Sequence, residues 1–193
     1  MSEVKLLPWQ ERIVNGMERS LAVPAGARTG KTRATVFAMK KRPTLTVVPT
    51  ESMLRLVQRE AMYFGVHPDS EVWAWEEFVF QFFERKIPKK FPRFAQVIFD
   101  EVHRADLMTI LRFRDRFGGR IVVTGTPMDL PCPIFFPLSK MPEWEFCQVT
   151  HQIAYPRPGV EKWLHDAKWT REIDGEFKEA AHVKTENPLC QTD

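Results

Sequence analysis

The sequence predicts an α/β domain, a parallel sheet with helices on both faces, and three observations carry the prediction. Short β-branched and apolar runs alternate with stretches of helical length, the order that builds βαβ units. A glycine-containing segment, AGARTGKT at 25–32, joins one apolar run to the next helical stretch. Two carboxylates, Asp100 and Glu101, directly follow the apolar run AQVIF, at the strand end where open α/β sheets gather ligands.

In chain order, Pro8 suits the first turn of a helix reaching about residue 19. Residues 20–23 read as a short apolar strand ended by Pro24, and a second helix starts near Lys31. TLTVV at 44–48 reads as a buried strand stopped by Pro49. Thr50 is placed to cap a helix through about residue 64, which Gly65 terminates. Residues 76–85 form another helical stretch, and 86–93 a basic loop broken by proline. AQVIF at 95–99 is a third strand, 105–117 a helix closed by Gly118 and Gly119, and RIVVT at 120–124 a fourth strand. Seven prolines between Pro127 and Pro158 mark an irregular connector. A helix at 159–168 and a poorly ordered stretch from 181 complete the reading. The expected division is a main body over 1–145 and a small irregular linker or lid over 146–193.

The chain has 193 residues, enough for one domain with a sizeable core and an appendage. Its 44% apolar and 27% charged residues are ordinary globular proportions. No apolar run approaches the ~18 residues of a membrane span. The opening MSEVKLLPWQER lacks a signal-peptide core, so a cytoplasmic, membrane-free protein is expected. Cys132, Cys147 and Cys190 are widely spaced and form no CxxC pair, which argues against a zinc site or disulfide framework and for a reducing compartment. The net charge of +3 permits a polyanionic partner without demanding one.

AGARTGKT fits the spacing A-x-x-x-x-G-K-T, a phosphate-binding loop with Ala25 at the first glycine position. Such a loop aims the backbone N–H groups of Ala25, Gly26, Ala27, Arg28, Thr29 and Gly30 at phosphate oxygens, at a helix N-terminus. Lys31 then reaches the β- and γ-phosphates of ATP, and the Thr32 hydroxyl ligates Mg²⁺. Arg28 is either a catalytic cation near the γ-phosphate or a solvated side chain. Asp100 is read as the second Mg²⁺ holder and Glu101 as the residue that polarises the attacking water. The bland alternative makes the pair a helix N-cap, and both roles are compatible. His103 completes a DExH pattern. In VVTGTP, Thr124 and Thr126 end the next strand, where a hydroxyl touches either the γ-phosphate or the carboxylates. Gln10, in LLPWQ, presents an amide donor and acceptor suited to an adenine edge; Trp9 beside it is core or a base platform.

The ordered set LLPWQ, AGARTGKT, TLTVVPT, VIFDEVH and VVTGTP resembles the first ATPase lobe of superfamily 2 helicases and of phage large terminases. The resemblance covers residues 6–127 and implies a RecA-like P-loop fold, an ATPase needing Mg²⁺, and double-stranded DNA as partner. LLPWQ and WTREIDGEF at 169–177 are similar to terminase segments. They imply genome packaging by a homo-oligomeric ring docked on a procapsid portal. The loop arginine departs from the terminase pattern, since Ala27 stands where terminases usually carry it. TGTPMDLPCPIFFPLSKM is similar to the segment after motif III in some helicases and supports the alternative, an N-terminal helicase or translocase lobe. The stretch after Thr124 is shorter than the ~100 residues of a second lobe. Arg85, Lys86, Lys89, Lys90 and Arg93, with Phe91 interleaved, read as a phosphate-gripping loop or a solvated one. The aromatic run from Trp73 to Phe83 reads as core.

Overall fold

The computed structural model describes residues 6–26, 29–83, 93–102, 105–127 and 132–149. Their elements are α1 (Pro8–Asn15), β1 (Ser20–Pro24), α2 (Lys31–Lys41), β2 (Thr44–Val48), α3 (Glu51–Phe64) and β3 (Glu71–Ala74). α4 (Trp75–Phe83), β4 (Gln96–Phe99), α5 (Leu107–Arg116), β5 (Arg120–Gly125), α6 (Phe135–Lys140) and β6 (Glu145–Phe146) follow. The strands form one sheet in the order β3-β2-β4-β5-β1-β6, and every pairing is parallel. The expected α/β class holds.

Alternate strand residues feed opposite faces of the sheet. Leu21, Val23, Ile98 and Val122 pack against Trp9, Ile13 and Ala34 of α1 and α2. Val48 meets Val36, Met39 and Val57, which joins α2 to α3. On the other face, Ala22, Val97, Phe99 and Ile121 meet aromatic side chains of α4, α5 and α6, among them Phe78, Phe82, Phe113 and Phe135. Coverage on both sides is why β1, β2, β4 and β5 are buried along their whole length and read as near-continuous apolar runs.

Local signals set several boundaries. The Thr50 hydroxyl accepts from the Met53 N–H at 3.3 Å and starts α3. The Asp106 carboxylate accepts from the N–H groups of Met108 (3.2 Å) and Thr109 (3.0 Å) and starts α5. Other boundaries are set at a distance. α1 ends at Asn15 rather than near 19, because Arg120 of β5 takes its last carbonyls. That guanidinium donates to the carbonyls of Arg12 at 2.7 Å, Ile13 at 2.8 Å and Glu18 at 3.1 Å.

Three elements depart from expectation. β3 is a half-buried edge strand of four residues, too short and mixed to stand out. α6 and β6 lie where the prolines suggest irregular chain. Pro137 falls in the first turn of α6, where its missing N–H leaves no helical bond unmade. β6 and a bridge between Ala25 and Val149 carry the sheet across the 145/146 division. Cys132 is a buried free thiol. Among the described residues, no helix is long and apolar enough to cross a membrane. The helix at 159–168, the 169–177 segment and the tail lie outside the described residues.

Candidate active site

At the carboxyl edge of the sheet, β1, β4 and β5 end side by side. The loop after β1 is anchored before it turns. The Ala25 N–H donates to the Gly125 carbonyl at 3.0 Å, and the Val149 N–H donates to the Pro24 carbonyl at 2.9 Å. Among the described residues, Glu101 is the non-glycine with positive φ. Ala25 therefore needs none of the freedom a glycine brings, which explains how alanine is accepted at that position. Gly30 does use it: its φ is 95° as the N-cap of α2. A Cβ there would lie 2.9 Å from the Gln10 amide nitrogen.

Lys31, in the first turn of α2, is 4% exposed. Its ammonium donates to the carbonyls of Ala25 (3.0 Å) and Gly26 (2.9 Å) and to the Thr126 hydroxyl (3.0 Å). It also pairs with Glu101 Oε1 at 3.0 Å. The Thr29 hydroxyl braces the loop by donating to the Gly26 carbonyl at 2.8 Å.

Consecutive residues of a strand point to opposite faces, yet Asp100 and Glu101 serve one site. The chain achieves this by turning at Glu101, whose φ is 54°. That left-handed conformation is uncommon and costly for a non-glycine residue. Asp100 is fully buried; its Oδ1 accepts from the Thr124 hydroxyl at 2.5 Å and its Oδ2 from the Thr32 hydroxyl at 3.5 Å. Burial, and then the neighbouring Glu101 charge, push the Asp100 carboxyl up to about 6, against the opposing pull of Thr124 and Lys31. Glu101 Oε2 accepts from the Thr126 N–H at 3.0 Å. Thr124 and Thr126 thus grip one carboxylate each.

Gly125 lies between them. A Cβ there would sit 3.1 Å from Val102 N and 3.4 Å from Glu101 Cα, so its bareness lets β5 approach the strained turn. The sequence carries no sign of that close approach, which arises only where β4 and β5 meet.

Gln10 is buried, and its Oε1 accepts from the Leu7 N–H at 2.9 Å, so its acceptor is used in its own helix cap. Trp9 belongs to the core. Phe78 and Phe82 are core, with Trp73 and Trp75 packed against them, whereas Phe80 and Phe83 are 47% and 43% exposed. Ala27, Arg28, His103 and residues 84–92 of the basic loop lie outside the described residues. Arg93 pairs with Glu71. A cavity of about 250 Å³, lined by Thr50, Trp75, Phe99 and Asp100 among others, opens at the ends of β2 and β4, apart from the loop. No cluster of three or more His, Cys, Asp or Glu side chains suited to a metal occurs among the described residues. The metal-competent pair is a hydroxyl and a carboxylate, Thr32 and Asp100.

No family model matches the chain, and no curated protein matches it. Among solved structures it is similar to the UvsW helicase from bacteriophage T4, with 16% identity and a TM-score of 0.47. The match covers 63% of this chain and 52% of that one, so the chain spans about half the length of that helicase.

Proposed function

We propose that this chain is an Mg²⁺-dependent ATPase lobe of a motor that moves on double-stranded DNA, of the kind that forms the first lobe of superfamily 2 helicases and translocases. One juxtaposition supports the reading: Lys31, Thr32, Asp100, Glu101, Thr124 and Thr126 meet within hydrogen-bond reach at the ends of β1, β4 and β5. The donor set fits Mg²⁺, because Thr32 Oγ1 and Asp100 Oδ2 are hard oxygen donors 3.5 Å apart. Thr32 and Asp100 would hold the ion, which would supply positive charge against the charge developing on the phosphates.

This chain's own residues supply the rest. Loop N–H groups and the α2 N-terminus would hold the phosphates. Lys31 would exchange its present carbonyl partners for phosphate oxygens. Glu101, steadied by Thr126, would orient water and accept its proton. Thr124 and Thr126 link the carboxylates to β5, so loss of the γ-phosphate would be felt along that strand. Arg28 would add a cation at the γ-phosphate, and Gln10 would meet the adenine. A second lobe or a neighbouring copy would complete the site in trans. A packaging motor is the second reading, favoured by LLPWQ, whose Gln10 sits against Gly30.

The test is phosphate release from ATP and Mg²⁺, with and without duplex DNA. Glu101→Gln should keep ATP bound while turnover falls ~10²–10⁴-fold, and duplex should stimulate the parental chain. Stimulation that needs portal-bearing procapsids as well as DNA would favour packaging. Unchanged turnover in Glu101→Gln would refute the assignment.

A further inference from the structure

We infer that Phe135 is a positioning residue for Glu101, acting through Gly125, and this rests on the hydrolytic role proposed above for that glutamate. Phe135 opens α6 and is wholly buried. Its side chain has no polar atom, so its effect on the site is one of packing.

Gly125 stands two residues beyond Val123, on the same face of the sheet, and Val123 lies in the cluster that α4, α5 and α6 cover. A Cβ on Gly125 would lie 3.4 Å from Phe135 Cε2, 3.1 Å from Val102 N and 3.4 Å from Glu101 Cα. One aromatic ring and the strained turn after β4 therefore share the space over a single glycine. In the plane of the sheet Gly125 is already fixed, because its carbonyl accepts from the Ala25 N–H at 3.0 Å. The freedom left to the end of β5 is out of that plane, toward α6, and the ring blocks it.

The ring is itself seated. Ile134, Phe135 and Leu138 are buried in one cluster with Val102, and the Phe136 N–H donates to the Cys132 carbonyl at 3.1 Å. What it holds in place is the aim of a carboxylate. Thr126 directly follows Gly125, and its N–H donates to Glu101 Oε2 at 3.0 Å. If the end of β5 drifts toward α6, that donor moves with it and Glu101, at φ 54°, loses its brace. Misaimed catalytic groups lower turnover steeply. Lys31 keeps its two loop carbonyls meanwhile, so ATP affinity should suffer less.

The experiment uses the whole chain and three readouts: phosphate release with ATP and Mg²⁺, amide exchange at Thr126 without nucleotide, and urea unfolding. Phe135→Leu removes the outer ring atoms while keeping the core largely filled. It should lower kcat about tenfold with KM within about threefold of the parent, and speed Thr126 exchange about tenfold. Leu138→Ala is the control, since it lies on the same helix and in the same cluster but not among the atoms nearest Gly125. It should lose stability in urea and leave kcat and Thr126 exchange within about twofold of the parent. In Gly125→Ala combined with Phe135→Leu the new methyl enters the space the ring leaves. The pair should turn over at least about threefold faster than Gly125→Ala alone, a non-additivity that lost stability does not produce. Parental kcat and exchange in Phe135→Leu would overturn the inference. So would a double variant no faster than Gly125→Ala, or a Leu138→Ala chain as slow as Phe135→Leu. Any of these, with turnover still lost in Glu101→Gln, would leave the proposed function intact. A chain with the expected Thr126 exchange in every variant that never releases phosphate would refute that function and leave the placement of Glu101 by Phe135 standing.

Discussion

Lys31 shows how much one side chain does at this site. Its ammonium satisfies two loop carbonyls, one hydroxyl and one carboxylate at 2.9–3.0 Å. Lys31→Ala removes the main countercharge for a triphosphate, and ATP binding should be lost in a direct titration with a fluorescent analogue; parental affinity would show that the loop is misplaced. Gly125 acts through space it leaves empty. In Gly125→Ala the new methyl must displace Val102 N or the Glu101 backbone by a few tenths of an ångström. Turnover should fall about tenfold, since small misplacements of catalytic groups are expensive. ATP affinity should stay near parental, a split that steady-state kinetics reads directly. Sequence reasoning named Lys31, Thr32, Asp100, Glu101, Thr124 and Thr126 because fixed spacing and strand ends expose them. It could not see Gly125's approach or the φ of Glu101, because both belong to the meeting of β4 and β5.

Elements were legible where their signals are local. β2 and α3 match their expected spans because β-branched runs, Pro49, Thr50 and Gly65 all act within a few residues. β3 and β6 escaped because two to four residues carry no period, and α1 was overextended because its end is set by Arg120. That arginine is a test of distant control. Burial, chiefly, pulls its guanidinium down to about 10, so it remains charged at neutral pH. Arg120→Ala would take the guanidinium donor from the Ile13 carbonyl and the Gln96 amide oxygen, whereas the Arg12 carbonyl keeps the Gly16 N–H; a buried unpaired group costs ~1–3 kcal/mol, and urea unfolding should show a loss at least that large. The same variant has a pH signature. Burial pushes the Glu18 carboxyl up, but its own backbone N–H, Arg12 and Arg120 outweigh that and hold it below the ordinary 4.5. A depressed carboxylate stabilises the fold above its unfolded value, and that stability is lost as pH falls through the folded one. The acid limb of the parental stability profile below pH 4.5 should therefore flatten in Arg120→Ala. An unaltered limb would mean that Arg12 alone holds Glu18.

For the molecule as a whole, alternation of strands and helices was enough to predict a parallel sheet covered on both sides. Strand order was not predicted, since it depends on which crossovers return over earlier strands. Order matters here because β6 closes against β1, the strand that leads into the loop at 25–32. The Cys147 N–H donates to the Ala22 carbonyl at 2.8 Å, and the Val149 N–H to the Pro24 carbonyl at 2.9 Å. β1 is thus clamped by β5 on one side and by a short, late segment on the other. Fraying at that edge is cooperative with fraying at the root of the loop. In hydrogen exchange, the amides of Ala25, Cys147 and Val149 should open together as one unit. Phe146 is buried against the α6 side of the core, and its truncation loosens that unit without touching any catalytic atom. Phe146→Ala should speed exchange at all three amides and raise the KM for ATP, while kcat stays within twofold of the parent. If only the Cys147 and Val149 amides accelerate and KM is unmoved, the two edges of β1 breathe separately. If all three move together, the grip on ATP is set partly by residues that the chain lays down more than a hundred positions after the loop.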